Sequence, residues 1–181
     1  NELLEASGFT AAGGPGEWDT PNGTRVDLLV PEAVAGPGRR AARLGPLGKH
    51  VARRVKGIEG VLIDNHPRVI GALEPSDRRE FGVQVAGPAA LIVAKTHKIN
   101  ERVAAPDRLL AKDALDVLRL LRAVTTREMS SGIRELLAES VSCSTTEEAL
   151  IAGSVLFGTR DGVGVQLLGQ AVQDLDDHDV V

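Results

Sequence analysis

The stretch LIVAKTHKINERVAAPDRLLAKDALDVLRLL, residues 91–121, carries two helical periods joined by a Pro-Asp turn. At about 100° per residue, Lys95 falls between Leu91 and Ile99, on the side that Ile92 and Val103 share. In the second period Asp113 falls among Val117, Leu120 and Val124, while Lys112, Arg119 and Arg122 take the opposite, solvent side. Each helix therefore turns one charge, of opposite sign, into its apolar stripe. Two arrangements accommodate this. A structural ion pair can knit the helices together. Alternatively, the two charges flank a polar cleft in which Lys95 meets a phosphate as a compact point charge and Asp113 orients it.

Upstream, NELLEASGF (1–9) reads as the end of a helix stopped by Gly8. A Gly/Pro-rich turn leads to TRVDLLVP (24–31), a strand closed by Pro31. Alternation along that strand puts Val26, Leu28 and Val30 on one face and Asp27 with Leu29 on the other. A carboxylate there is costly unless it is paired, binds a cation or sits in water on an edge strand. Residues 39–56 read as a basic helical stretch interrupted near Gly45 and Pro46, and RVIGAL and FGVQVAG as two β-like runs around EPSDRRE. A helix opens at Pro88. Beyond Leu121 the pattern is helical: SSGIRELLAESV with a serine cap, STTEEALIAGSVLF with a Ser144/Glu147 capping box, and GVQLLGQAVQDL.

The net charge of −4 over 181 residues makes no global case for nucleic acid or membrane binding. Three Phe, one Trp and no Tyr are too few for a protein that stacks unpaired bases on aromatic platforms. The single Cys143 excludes an internal disulfide and a cysteine-built zinc site, and fits a reducing, cytoplasmic setting. His50, His66, His97 and His178 lack metal-ligand spacing, and His97 points to the solvent side of its helix. AALIVA, the longest clear apolar run, falls far short of the ~20 residues of a membrane helix.

Charge is unevenly spread. No acid lies between Glu32 and Glu59, where Arg39, Arg40, Arg43, Lys49, Arg53, Arg54 and Lys56 crowd together. That stretch reads either as a solvated face or as a phosphate-binding surface for RNA or a triphosphate. Asp174, Asp176, Asp177 and Asp179 read as a solvated acidic tail.

Together GTRVDLLVP, VAGPAALIVAKTHKINERV and DRLLAKDALDVLRLL resemble the nucleotidyltransferase-like AbiEii toxin family, relatives of the MenT toxins, over residues 1–123. The resemblance implies an α+β fold: a minimal nucleotidyltransferase-like mixed sheet with flanking helices in 1–124, then a C-terminal helical region with an acidic tail in 125–181. It implies metal-dependent transfer of a nucleotide from a nucleoside triphosphate to a hydroxyl such as the 3′ end of a tRNA, with an antitoxin protein as partner. Asp27 would bind Mg²⁺ (or Mn²⁺), Lys95 would contact the triphosphate and Asp113 would order the site, with Asp116 at the stripe's edge. Arg39, Arg40, Arg43, Arg53 and Arg54 would hold the acceptor's backbone.

The chain departs from the family pattern at one place. A Gly-Ser turn followed by a D-x-D pair, which supplies most of the metal ligands, does not precede Asp27. Gly153-Ser154 is followed by a lone Asp161, and the D-x-D spacing in the C-terminal tail follows no strand. The rival expectation is a non-catalytic module that keeps the fold and docks RNA or a partner protein.

Overall fold

The computed structural model describes residues 2–36, 39–44 and 50–178, with side chains described as far as 173. Lys49, Asp179 and the side chains of the acidic tail lie outside the described residues. The architecture is α+β, and the chain divides into two compact units, Asn1–Glu59 and Gly60–Val181.

The first unit opens with a short helix α1 (Glu2–Ala6). Gly8 ends it at φ 80°, where its N–H donates to the Glu5 carbonyl and the Phe9 N–H to that of Leu4, each at 2.9 Å. This is the double bond of a glycine-terminated helix, as the sequence leads one to expect. Strands β1 (Thr10–Ala11), β2 (Glu17–Asp19) and β3 (Arg25–Asp27) form an antiparallel sheet in that order. The register sets Trp18 against Val26, Glu17 against Asp27 and Asp19 against Arg25.

The expected strand 24–31 breaks at Leu28. Strand β4 (Leu29–Pro31) leaves the first sheet and pairs in parallel with β5 (Arg53–Val55). The cause is a close approach at Gly16, which sits at φ 79°. Its carbonyl accepts the Leu28 N–H at 2.7 Å, and the Leu28 carbonyl accepts the Arg53 N–H at 2.8 Å. A Cβ on Gly16 would stand 2.3 Å from the Leu28 oxygen and 2.5 Å from the Arg53 nitrogen. Only glycine lets the three segments meet. The core beside them is small: Ala35, Ala42 and Ala52 with Leu28, Val30 and Leu44. Trp18 is fully buried, and its indole N–H donates to the Val51 carbonyl at 3.0 Å.

Among its described residues the second unit holds an antiparallel hairpin, β6 (Asn65–Gly71) and β7 (Glu80–Ala86), and five α-helices. These are α2 (Pro88–Arg102), α3 (Ala111–Ala123), α4 (Thr126–Ala138), α5 (Cys143–Phe157) and α6 (Val163–His178). Helix α2 is central because it feeds two cores. Ile99 joins Ala114, Val117, Leu156 and Leu167, while Ala89 and Val93 join Leu136 and Ala149. Its N-terminus is satisfied from outside the helix, where the Asp64 carboxylate accepts the Ala90 N–H at 2.9 Å.

Several expectations are revised. The described strands form three separate small sheets instead of one mixed sheet, because strands of two or three residues cannot propagate a ladder and the β6–β7 hairpin bonds only within itself. Within the second unit α2 packs on α4 and α5, and α3 on α6. The basic stretch is not helical among its described residues: Ala41 bridges to Arg53, and Arg53–Val55 is strand. The capping box lies at Thr125/Glu128, so α4 starts earlier than its serines suggest. At α5 Ser142 is the N-cap and its hydroxyl instead donates to the Leu136 carbonyl at 2.7 Å. No helix among the described residues is long and apolar enough to cross a membrane.

Candidate functional site

The α2–α3 contact gathers the inward charges. Asp113 is 1% exposed. It sits in the first turn of α3, where the helix dipole favours an anion. Its Oδ1 accepts from Lys98 Nζ at 2.8 Å and Lys95 Nζ at 3.1 Å, and its Oδ2 meets Arg102 Nη1 at 3.4 Å. Residues 95, 98 and 102 are spaced three and four apart, so one flank of α2 turns three cations toward the start of α3. A carboxylate this buried is tolerable only with such partners.

Lys95 differs from its expected place. The buried side of α2 is Ala89, Ala90, Val93, Thr96 and Ile99, and Lys95 stands on its flank with its side chain 26% exposed. The difference is one of helix rotation, which sequence periodicity leaves open within a residue. Beyond Asp113, Lys95 Nζ donates to Asp116 Oδ2 at 2.6 Å, and Arg119 Nη1 reaches the other Asp116 oxygen at 3.5 Å. Lys95, Asp116 and Arg119 line one wall of a cleft of about 310 Å³ whose remainder is Leu91, Leu120 and Ala123. A larger cavity of about 390 Å³ among α2, α3, α5 and α6 is apolar, lined by residues such as Ile92, Val117, Phe157 and Leu168, and holds no charge.

Electrostatics follow the geometry. Burial pushes the Asp113 carboxyl up, but the hydrogen bonds and charges of Lys98 and Lys95 outweigh it and hold the group below the usual carboxylate range. Burial pushes the Lys95 amine down, and the hydrogen bonds and charges of Asp116 and Asp113 carry it above its ordinary value. Both groups stay charged at neutral pH.

Asp27 belongs to the first unit, Lys95 and Asp113 to the second. Asp27 lies on the outer strand of its sheet, 48% exposed, directly across from Glu17. Arg53 ties the two carboxylates together, with Nη2 at 3.6 Å from Asp27 Oδ2 and Nη1 at 3.6 Å from Glu17 Oε1. Asp27 can offer a divalent cation one carboxylate. Asp113 does not fit such an ion, because both its oxygens face cations. No group of three metal-ligating side chains occurs among the described residues.

The five arginines of the basic stretch divide. Arg39, Arg40 and Arg43 are exposed. Arg54 pairs with Glu32 and donates to the Gly36 carbonyl at 2.6 Å, while Arg53 is held by Glu17 and Asp27. His97 is half-buried, not solvent-facing, and its Nε2–H donates to the Thr145 carbonyl of α5 at 2.7 Å. The residues missed in the sequence are Lys98 and Arg102; their spacing from Lys95 was the available signal. Asp116, marginal by its place at the stripe's edge, holds Lys95 at the shorter distance.

Comparison with models of protein families, with curated proteins and with solved structures found no match.

Proposed function

We propose that this chain is a nucleotidyltransferase-like protein whose α2–α3 cleft receives the phosphates of a nucleoside triphosphate for transfer of a nucleotide to a hydroxyl. The observation that carries this reading is Lys95: partly exposed at a cleft wall beside Arg119, fully charged, and oriented by Asp113 and Asp116. An ammonium with two hydrogens committed to carboxylates keeps a third to donate to a phosphate oxygen. The ordered set of strand Asp27, helix Lys95 and the Lys112-Asp113-x-x-Asp116 helix supports the same reading.

In the reaction the acceptor hydroxyl oxygen bonds to the α-phosphorus as the bond to pyrophosphate breaks, and the hydroxyl proton passes to water. Mg²⁺ or Mn²⁺, when bound, would supply charge neutralisation; Asp27 is the carboxylate that the resemblance assigns to it, and it would offer the ion a single ligand. Arg39, Arg40 and Arg43 hold the backbone of an RNA acceptor such as tRNA, and a toxin–antitoxin pair is the proposed setting.

A second reading, a binding module without catalysis, is favoured by one observation: Asp27, Lys95 and Asp113 each already have protein partners of opposite charge. Titration calorimetry with triphosphate and Mg²⁺, run beside a labelled-nucleotide transfer assay on bulk tRNA, separates the two. Binding with incorporation, both abolished in Lys95→Met, supports the enzyme. Binding without incorporation supports the module. Absence of triphosphate binding rejects the enzyme, and filter binding of bulk tRNA to the same chain then tests the module.

A further inference from the structure

The β6–β7 hairpin is left uncovered: residues 66–71 and 80–85 are exposed along both strands. Two strands alone are marginal in water. The register pairs Ile70 with Phe81, Arg68 with Val83 and His66 with Val85, so Ile70, Phe81, Val83 and Val85 share one face with Arg68 and His66, and the apolar side chains are concentrated on β7. Phe81 is 57% exposed and Ile70 51%.

The two edges are chemically unequal. The Ala72 N–H donates to the Arg79 carbonyl and the Gly87 N–H to that of Asp64, extending the ladder at both ends. Counting inward by two, the mutually bonded pairs are 66 with 85, 68 with 83 and 70 with 81. Hence Pro67 and Val69 turn their backbone to the outer edge of β6, and Gly82 and Gln84 turn theirs to the outer edge of β7. Pro67 has no N–H to offer, which blunts β6. The β7 edge has no such guard.

We propose that β7 is a dimerisation edge, to which a second copy of this chain adds its own β7 antiparallel about a two-fold axis at Val83. Val83 is the midpoint of Glu80–Ala86, so this register pairs the whole strand. It sets Phe81 against Val85 of the second copy and Val83 against itself, aromatic and β-branched pairings that stabilise sheets. Glu80 meets Ala86 of the second copy, so no like charges are opposed. The same operation on β6 would set Arg68 against Arg68 beside a proline. Charge and donor supply thus select β7. The product is a four-stranded sheet whose two central strands place Phe81, Val83 and Val85 of both copies in one apolar stripe, flanked on the same face by Ile70, Arg68 and His66. A single strand pairing is small for an interface, which places the dimer in the reversible class.

Sedimentation equilibrium of the full chain tests this, with expected self-association that Gln84→Pro weakens at least about tenfold. Gln84 lies opposite Pro67, so the substitution copies a proline the hairpin already accepts and spares the inner ladder. Val69→Pro, on the other edge, is expected to keep the dimer. In a Cys143→Ser background, oxidised Val83→Cys should cross-link two chains, since its counterpart lies directly across the axis. A monomer from about 10 μM to about 0.5 mM overturns the proposal. So does a dimer indifferent to Gln84→Pro in which Val83→Cys fails to cross-link. Should Gln84→Pro disrupt the hairpin itself, the cross-link decides: its formation supports the axis and its absence overturns it.

Discussion

Lys98 Nζ lies 2.8 Å from Oδ1 of Asp113, the same oxygen that Lys95 reaches at 3.1 Å. Sharing of one oxygen makes the two lysines partly redundant for Asp113. It separates the architectural role of the cluster from the role proposed for Lys95 in the cleft.

Lys95→Ala is therefore expected to cost only about 1 kcal/mol, because Lys98 and Arg102 still neutralise the buried carboxylate. Asp113→Ala removes the shared anion and is expected to cost about 3 kcal/mol or more. Replacing both Lys95 by Met and Asp113 by Leu should not restore stability, since Lys98 and Arg102 then lack their anion. Urea unfolding of the three variants checks the order. A Lys95→Ala loss as large as that of Asp113→Ala would show that Lys95 alone is the brace.

Acid should probe the same group. Folded Asp113 holds its carboxyl below the usual range, so the folded chain binds fewer protons there than the unfolded one. Its stabilising contribution is complete above the unfolded value of about 3.9 and is lost as pH falls through the lower folded value. Lys95 has the opposite sign: its raised amine contributes below about 10.4, and the contribution is lost as pH rises through the folded value. Unfolding free energies of native chain and Asp113→Asn across acidic pH should differ in slope below about pH 4. Parallel curves would remove Asp113 from the acid response.

Gly16 and Gly23 share a left-handed backbone, at φ 79° and 81°, but not a neighbourhood. A Cβ on Gly23 meets nothing within 4 Å, whereas one on Gly16 collides with the Leu28 carbonyl. Gly23→Ala should cost about 1 kcal/mol for the backbone alone. Gly16→Ala should cost well over about 3 kcal/mol and open the junction of β3, β4 and β5. Hydrogen exchange at the Leu28 and Arg53 amides reads this directly, and equal effects of the two substitutions would refute the collision.

For the basic stretch, the exposed and the tied arginines should behave differently. If RNA binds as proposed, replacing Arg39, Arg40 and Arg43 by Gln should flatten the salt dependence of that binding, its log–log slope falling by about 0.7–0.9 for each phosphate no longer neutralised. Sequence preference should stay unchanged, because phosphates carry no base information. Arg54→Gln should instead lower stability, since Arg54 joins Glu32 to the Gly36 carbonyl. Filter binding across salt, with melts alongside, tests both. Binding indifferent to the triple replacement would return the stretch to a solvated face.

By itself the sequence determined what depends on neighbours along the chain. Pro88 opening α2, Gly8 closing α1, the hairpin runs around EPSDRRE and the burial of Asp113 follow from backbone preference and side-chain period. The tertiary structure alone decided which groups meet. Strand alternation places Asp27 with Leu29 only while the strand stays in one sheet, and the close approach at Gly16 moves the chain to a second sheet at Leu28. Likewise helical period locates Lys95 and Asp113 within a residue. The rotation of α2 against α3, set by packing of Ile99 on Ala114 and Val117, determines that Lys98 and Arg102 converge on the same carboxylate and that Lys95 turns to Asp116. Local propensity has a range of a few residues, whereas Coulomb and hydrogen-bond partners are chosen in space.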